Sequence, residues 1–530
     1  MTAADTRSDL SSSGAGASTG PSDRRLPDGF RVLPDRRTRR IDGGAALLGG
    51  APPRLVHLSA RARALLPPPG RPLVVETPTH RALARTLLDA GLVHPVPDPP
   101  AAQVRPAEVT VVVPVKDRSL DRLLAALGPV AAPGPVAARP PADAGGPRDP
   151  AGPCEPRELG GLIVVDDGST EPEPLRRSVE AAGGTVLRHD TPHGPAAARN
   201  AGLAAAGTPY VLFLDSDVVP EPGWLPPLLG HLADPAVGLV APRIVALDPG
   251  HGTGLRGAVG RYEAVRSSLD LGPDPALIVP RSRVAYVPSA ALLVRVAAVG
   301  EAPFDPAMHV AEDVDLVLRL HAAGWAMRFE PVSRVAHDHR TAPAEWLRRK
   351  AFYGTGAAPL ALRHPGAVPP VVLSPWTAAV CLLLLAQRRG ATAAAAAITV
   401  AATERLSRRL HRLDHPRRTA ARLTALGLSG ALWQLASALT RHFWPVAALA
   451  LPFSARARRA VAVAGVAEGL ADWWIHRDRD PKVRMDPLRH LLAHRLDDLG
   501  YGAGLWWGAR VHRTAAPLRP VGPGNAGHAG

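Results

Sequence analysis

The stretch YVLFLDSD, residues 210–217, joins an apolar run to two carboxylates. Tyr210–Leu214 has the length and composition of a buried strand that ends at a polar turn. Asp215 and Asp217 follow that strand in the spacing Asp-x-Asp. Two carboxylates so spaced can hold a hard divalent cation that binds substrate phosphates. The alternative, a solvated acidic turn, is disfavoured by the apolar strand before it.

Upstream of this stretch, strands alternate with helices. Val109–Val115 (VTVVVPV) is rich in β-branched residues and is predicted to be a buried parallel strand. A helix-like segment, Ser119–Leu127, follows, and Leu162–Val165 forms the next strand. The helix Pro195–Ala206 then precedes Tyr210–Leu214. This alternation predicts an α/β fold with a parallel sheet.

Carboxylates follow these strands directly. Asp117 comes two residues after the first strand, and Asp167 lies in the segment DDGS that follows the second. Ligands of open parallel sheets bind at the carboxyl ends of the strands, where a carboxylate can accept hydrogen bonds from a base or a ribose. The alternative for each residue is a turn aspartate or a helix N-cap.

Two helix starts carry further polar groups. Arg199 and Asn200 lie about one turn into the helix that begins near Pro195, and a helix N-terminus beside an arginine suits a nucleotide. A surface arginine on an Ala-rich helix is the alternative. Asp313 opens a second predicted helix, where it either caps the helix or accepts a proton from an acceptor hydroxyl. His337 follows a strand-like segment, and its imidazole could complete a metal site.

Composition changes along the chain predict its domains. Gly128–Arg157 is interpreted as a mobile surface loop, because 14 of its 30 residues are proline or glycine. The expected order is a disordered tail (1–24), a small N-terminal domain (25–100), an α/β domain (105–355) with this Pro/Gly-rich insertion (128–157), a helical region that is either soluble or membrane-associated (356–515) and a tail (516–530).

The helical region allows two interpretations. Val371–Ala386 and Leu423–Thr440 are uncharged stretches of 16 and 18 residues, whereas a membrane span needs about 17–25. Arg388–Arg422, between them, holds nine arginines against two acids. The stretches are either buried helices of a soluble domain or membrane-associated helices with arginines at the headgroups.

The net charge and the two cysteines restrict the binding partners and the cellular location that we expect for the protein. The net charge of +15 favours anionic partners, but no helix-turn-helix, zinc-finger or RNA-binding signature supports nucleic acid. Cys154 and Cys381 offer neither zinc spacing nor a disulfide framework, which fits a reducing cytosol. The polar N-terminus predicts no secretory signal. We therefore expect the cytoplasmic side, with membrane association.

As a set, these motifs resemble the family 2 glycosyltransferases of GT-A fold, a Rossmann-like fold for nucleotide-diphospho-sugar transfer, from Val109 to about Tyr353. The resemblance implies an inverting transfer that uses Mn²⁺ or Mg²⁺, with Asp313 as the catalytic base. It implies nucleotide-sugar contacts from Pro114, Asp117, Asp167, Arg199, Asn200 and Asp215, and metal ligands from Asp217, Asp215 and His337. The insertion at Gly128–Arg157 departs from the family's pattern and leaves the geometry of the donor loop open.

Two further segments are similar to the glycosyltransferases of the mycofactocin system. They are Leu26–Arg31 with Arg54–Val56, and Trp346–Gly354 (WLRRKAFYG). This resemblance implies transfer of glucose from UDP-glucose to a ribosomally derived peptide redox cofactor. Lys350 and the two arginines before it would then face the diphosphate or lie on a solvated helix face.

Other functions remain as alternatives or are disfavoured. No G-x-G-x-x-G follows the first strand and no P-loop motif is present, which argues against nicotinamide, flavin and P-loop enzymes. No Gln-x-x-Arg-Trp motif of processive synthases is found. A lipid or cell-wall polysaccharide acceptor remains open, as does a catalytically silent membrane scaffold, although the intact Asp215, Asp217 and Asp313 argue against the scaffold.

Overall fold

The computed structural model describes residues 20–96, 104–128, 159–248 and 252–522. Nearly all of the predicted insertion at 128–157 lies outside these residues, as do most of the N-terminal tail and residues 523–530 of the C-terminal one. The described chain forms an N-terminal unit, a central sheet covered by helices and a C-terminal set of helices.

The N-terminal unit consists of two small antiparallel sheets, β5-β1-β6 and β2-β3-β4, around one core. Leu87 and Leu88 are buried there against Val32. An ion pair between Arg85 and the buried Asp234, 2.8 Å long, joins this unit to the central sheet. Its elements are β1 Arg31–Pro34, β2 Arg39–Ile41, β3 Ala46–Gly49, β4 Arg54–His57, α1 Ala60–Ala64, β5 Leu73–Val74, α2 Pro78–Asp89 and β6 Val93–Pro95.

The central sheet has the strand order β11-β15-β12-β14-β10-β7-β8-β9, and β13 pairs with β15. Its elements are β7 Val109–Val115, α3 Asp121–Leu127, β8 Gly161–Asp167, α4 Pro172–Ala181, β9 Thr185–His189, α5 Pro195–Ala205, β10 Tyr210–Leu214, β11 Val218–Pro220, α6 Leu225–His231, β12 Val237–Ala246, α7 Gly254–Arg266, β13 Ala276–Leu277, β14 Ala291–Arg295, α8 Val296–Val299, α9 Glu312–Ala322, β15 Ala326–His337 and α10 Pro343–Thr355.

The α/β prediction is confirmed, but the sheet is mixed rather than parallel throughout. Strands β9, β8, β7 and β10 are parallel neighbours, as predicted. Strand β14 lies antiparallel between β10 and β12, because the connection from β12 to β14 begins and ends at the same edge of the sheet. Val111 and Val112 belong to different core clusters on the two faces, which explains the continuous apolar run in β7. The parallel strands bring the carboxyl ends of β7, β8 and β10 to one edge.

The C-terminal region is helical, as predicted. One helix, Pro416–His442, is long and apolar enough to cross a membrane by length and composition, and Pro375–Leu385 is apolar but shorter. The elements are α11 Ala357–Arg363, α12 Pro375–Leu385, α13 Arg389–Arg409, α14 Pro416–Ser437, a π-helical turn Ala438–His442, α15 Trp444–Ala450, α16 Ala455–His476 and α17 Pro487–Val511.

Helix α17 packs backbone to backbone on α10, the helix that follows the last strand of the sheet. A Cβ atom added at Gly504 would lie 1.7 Å from the carbonyl oxygen of Ala351. A Cβ at Gly354 would lie 2.1 Å from the carbonyl oxygen of Tyr501. Only glycine permits such an approach. The C-terminal helices are thereby fixed against the sheet at its functional edge.

Candidate active site

A cavity of about 990 Å³ lies at the carboxyl ends of β7, β8 and β10. The C-terminal helices, chiefly α17, α14 and the π-helical turn, form another of its walls. Seven of the nine residues predicted to form the site line this cavity: Pro114, Asp167, Arg199, Asp215, Asp217, Asp313 and His337. Asp117 and Asn200 do not.

Asp167, at the end of β8, organises the turn that enters α5. Its carboxylate accepts hydrogen bonds from the backbone N–H groups of His193 and Gly194, at 2.9 and 2.7 Å. It also pairs with the His189 imidazole at 2.9 Å. Burial opposes its ionisation, but these hydrogen bonds outweigh burial and lower its pKa. Asp167 is thus a charged group that shapes the cavity rim.

Asp117 and Asn200 are engaged in contacts within the protein. The Asp117 carboxylate accepts a hydrogen bond from the Thr170 backbone N–H at 2.7 Å, and its own N–H donates to Ser169 Oγ at 2.9 Å. The Asn200 amide donates to the Phe304 carbonyl at 2.6 Å and accepts from the Phe304 N–H at 3.1 Å. Both side chains fasten loops around the site, as in the turn-aspartate alternative.

Arg199 joins the Asp-x-Asp turn to the start of α9. Its guanidinium donates to Asp215 at 2.6 Å and to Glu312 at 3.0 Å, and it lies 5.3 Å from the Phe304 ring centroid. Only 2% of the residue is exposed. Burial would lower the arginine pKa, but the two carboxylates outweigh burial and raise it. Arg199 is therefore a permanent positive charge in the cavity wall.

Asp217 and His337 face each other across the cavity floor. His337 Nε2 lies 3.5 Å from Asp217 Oδ1, and Arg118 lies 3.4 Å from the same carboxylate. Burial lowers the pKa of His337 to about 4, so the imidazole is neutral and its lone pair can bind a metal. Burial, followed by the charge of Asp215, raises the pKa of Asp217. A carboxylate beside a neutral imidazole fits a divalent cation such as Mn²⁺.

The third predicted ligand, Asp215, is turned toward Arg199. Among the described residues, the only cluster of three potential metal ligands within 4.8 Å is Glu468, His494 and Asp498 in the helical wall. Arg495 already pairs with Glu468 and lies 3.2 Å from Asp498. A guanidinium therefore neutralises part of the charge of this cluster, as Arg118 does at Asp217.

Asp313 lies at the first turn of α9 and lines the same cavity as Asp217 and His337. Its two oxygens accept hydrogen bonds from the backbone N–H groups of Ser289, at 3.1 Å, and Val314, at 2.8 Å. Burial, then the charge of Glu312, raises its pKa to about 7 despite these bonds and the nearby Arg199. A carboxylate with that pKa can accept a proton at neutral pH.

Several residues in the cavity carry no local sequence signal. Ser289 donates its backbone N–H to Asp313, and Tyr286 and Tyr501 line the cavity. Of the basic trio in α10, Arg349 and Lys350 line the cavity, and Lys350 is buried between two carboxylates. These residues come from distant segments, so only the fold brings them together.

The fold and the site define a class of enzyme. A sequence profile described as glycosyl transferase family 2 matches residues 161–267, which include Asp167, Arg199, Asp215 and Asp217. Together with the mixed sheet and the carboxylate-lined cavity, this match makes the protein a glycosyltransferase of GT-A fold.

Relatives narrow the family. The pre-mycofactocin glycosyltransferase of Mycobacterium tuberculosis, in strains CDC 1551 / Oshkosh and H37Rv, is 43% identical over 502 residues, covering 94% of this chain and 98% of the relative. A mannosyltransferase from Pyrobaculum calidifontis, solved with GDP-Man and Mn²⁺, is 20% identical with a TM-score of 0.33, covering 64% of this chain and 91% of that one. The chain belongs to the pre-mycofactocin glycosyltransferases of family 2.

Proposed function

We propose that this enzyme is a divalent-cation-dependent, inverting glycosyltransferase that moves glucose from UDP-glucose to a hydroxyl of pre-mycofactocin, a peptide-derived redox cofactor precursor. The observation that carries the proposal is Asp313, a carboxylate with a pKa of about 7 in the same cavity as the Asp217–His337 pair. The acceptor is proposed from the relative that is 43% identical over nearly the whole chain.

The donor end of the cavity is the Asp-x-Asp edge. Asp217 and His337 would hold Mn²⁺ or Mg²⁺, which would neutralise charge on the departing diphosphate. Arg199 adds a fixed positive charge and keeps Asp215 in place. Asp167 holds the turn at the start of α5, where backbone N–H groups and the helix dipole favour a phosphate.

The acceptor end contains the base. The acceptor oxygen forms a bond to the anomeric carbon, while the bond from that carbon to the diphosphate oxygen breaks on the opposite side. The acceptor's proton passes to Asp313, whose ionised form is held toward the cavity by the N–H groups of Ser289 and Val314. A single displacement of this kind inverts the configuration at the anomeric carbon.

A panel of nucleotide sugars tests the reaction. The purified protein is incubated with UDP-glucose, UDP-galactose, UDP-GlcNAc or GDP-mannose, with Mn²⁺ or Mg²⁺ and pre-mycofactocin, and nucleotide release is measured. We expect UDP-glucose to be preferred, with no activity in EDTA. Release from none of the donors, or full activity in EDTA, would contradict the proposal.

Asp315→Asn is unsuitable as a matched control for Asp313→Asn. Asp315 is fully buried and pairs with Arg319 and His364, so its replacement would disturb the fold.

We also propose that the helical region attaches the enzyme to the cytoplasmic face of a membrane. Of the 23 large hydrophobic side chains exposed among the described residues, 18 lie between Leu382 and Val511, and Phe453 is 90% exposed. The arginine-rich segment Arg388–Arg422 would lie at the anionic headgroups. The protein should pellet with membranes and be released by detergent. Recovery in the soluble fraction at low salt would count against a membrane site, as would a dimer that forms in the absence of detergent.

A further inference from the structure

The wall of the cavity that faces Asp313 is built from the C-terminal helices. Tyr501 and Leu505 of α17, Arg441 of the π-helical turn and Trp433 of α14 line it, together with Tyr286 from the loop before β14. The helical C-terminal region predicted from the sequence therefore completes the cavity.

Two tyrosines in this wall have free hydroxyl groups. Within the described residues, neither the Tyr286 nor the Tyr501 hydroxyl has a hydrogen-bond partner. Burial, followed by the nearby Tyr501 and Asp313, raises the pKa of Tyr286 to about 12. The Tyr286 hydroxyl is therefore protonated at neutral pH and available to donate a hydrogen bond to a ligand beside the base.

The Tyr501 ring is held in a fixed orientation. The Arg441 guanidinium lies 3.9 Å from its ring centroid, and the same guanidinium lies 3.1 Å from Asp498 and 3.4 Å from Asp497. The absence of a side chain at Gly504 lets the α17 backbone touch α10 one turn further on. Turning the ring away from the cavity would lose its contact with this guanidinium, which the two carboxylates hold in place.

Helix α17 is also fixed to the catalytic domain by a buried charge network. Lys350 of α10, only 4% exposed, lies 2.8 Å from Glu263 of α7 and 3.0 Å from Asp497 of α17. The Trp346 indole donates to the same Glu263 oxygen at 2.7 Å. One cation therefore joins three helices, and the position of Tyr501 follows from the catalytic domain itself.

We propose that Tyr286 and Tyr501 bind the acceptor between their two rings, and we call this pair the acceptor jaw. The tyrosine hydroxyls donate hydrogen bonds to polar groups of the acceptor, and the reacting hydroxyl of the acceptor is directed at Asp313. The jaw rests on the proposed function, since it orients the acceptor of that transfer. The two tyrosines determine acceptor specificity and affinity, and the donor end of the cavity is independent of them.

The test separates acceptor binding from donor chemistry. Tyr501→Phe and Tyr286→Phe remove one hydroxyl each and keep the ring. Tyr210→Phe makes the same chemical change in β10, outside the cavity, where the hydroxyl accepts from Arg295 at 3.1 Å. For each variant, UDP release from UDP-glucose is measured with pre-mycofactocin as acceptor and, separately, with water alone.

We expect each cavity variant to raise the KM for pre-mycofactocin about three- to tenfold, the loss of one hydrogen bond, with a smaller change in UDP release to water. Tyr210→Phe should leave both values unchanged. An unchanged acceptor KM in both cavity variants would overturn the jaw while leaving the proposed function intact. A parallel fall of hydrolysis and transfer would show a structural role and also overturn it. Absence of transfer by the wild-type enzyme would overturn the proposed function and the jaw with it.

Discussion

The pH dependence of transfer follows from the environment of Asp313. Its pKa of about 7, raised chiefly by burial and by Glu312, leaves about half of the carboxylate ionised at pH 7. The ionised fraction is about one-tenth at pH 6 and about nine-tenths at pH 8. Because only the ionised form accepts a proton, the rate of transfer should rise about tenfold between pH 6 and pH 8.

Two variants make this prediction specific. Asp313→Asn is nearly isosteric and should lower turnover by about 10²–10⁴-fold with near-normal donor binding, and its residual rate should lose the rise near pH 7. Glu312→Gln removes the neighbouring charge that raises the pKa of Asp313, so the midpoint of the profile should move to lower pH. The assay is kcat for UDP release at saturating Mn²⁺ and donor, from pH 5 to pH 9.

The ionisation of Asp313 also affects the free energy of unfolding, and the direction of this effect follows from the raised pKa. The folded-state pKa of Asp313 lies above its ordinary value of 3.8, so the fold favours the protonated form. The resulting stability is present below about pH 4 and is lost as the pH rises through about 7, up to about 4 kcal/mol before solvent screening is considered. Asp313→Asn should therefore melt at a higher temperature than the wild type at pH 8, and the difference should shrink toward pH 4. A wild-type rate that is flat from pH 6 to pH 8, or an Asp313→Asn variant with near-normal turnover, would refute the assignment of the base.

Other substitutions test the metal site and the packing of the C-terminal helices. Asp217→Ala should abolish transfer with little change in melting temperature, because a carboxylate at the cavity edge adds little to the core; wild-type activity in this variant would refute the metal site. Lys350→Met should destabilise the fold by about 3–5 kcal/mol in urea titrations, since two buried carboxylates lose their cation, and a loss below about 1 kcal/mol would contradict the network. Gly504→Ala should destabilise the fold by about 1–3 kcal/mol, because the new Cβ would lie 1.7 Å from a carbonyl oxygen. Gly430→Ala, where the space around the new Cβ is open, should leave the stability of the fold unchanged or raise it by about 0.5–1 kcal/mol. Equal effects of the two glycine substitutions would argue against close packing of α10 and α17.

The placement of the strand-end carboxylates could be predicted because a physical rule fixes it. Parallel neighbouring strands end at one edge, so Asp167 and Asp215 reach the same cavity from segments 48 residues apart. Their roles in binding the donor stay predictions. The antiparallel strand β14 was not predictable, because an apolar run does not reveal its direction in a sheet.

Asp117 and Asn200 are the two predicted site residues that do not line the cavity, and their contacts with a nucleotide stay predictions. Asp117 and Asn200 have residue types that suit a nucleotide, but nearby backbone groups satisfy their side chains. Asp117 adopts a φ of 49°, a left-handed conformation that aspartate tolerates in turns. Whether such a side chain contacts a neighbouring loop or a ligand depends on how the loops pack together. The sequence of a single segment does not determine that packing.

The cavity wall that contains Tyr286 and Tyr501 was the least predictable part of the site. The two tyrosines are far apart in the sequence and reach the same cavity only because α17 packs on α10. A signal did exist, since Gly500, Gly504 and Gly508 recur every four residues along one face of α17. That spacing indicates close helix packing, but it does not identify the partner helix.

The configuration of the product is the most direct test of the central claim, a single inverting displacement assisted by Asp313. The wild-type enzyme is incubated with UDP-glucose, in which the glucose is α-linked, Mn²⁺ and pre-mycofactocin, and the anomeric proton of the purified product is examined by NMR. We predict a β-linked glucoside that forms with the wild type and is nearly absent with Asp313→Asn. An α-linked product, or no glucosylated product at all, would contradict the account.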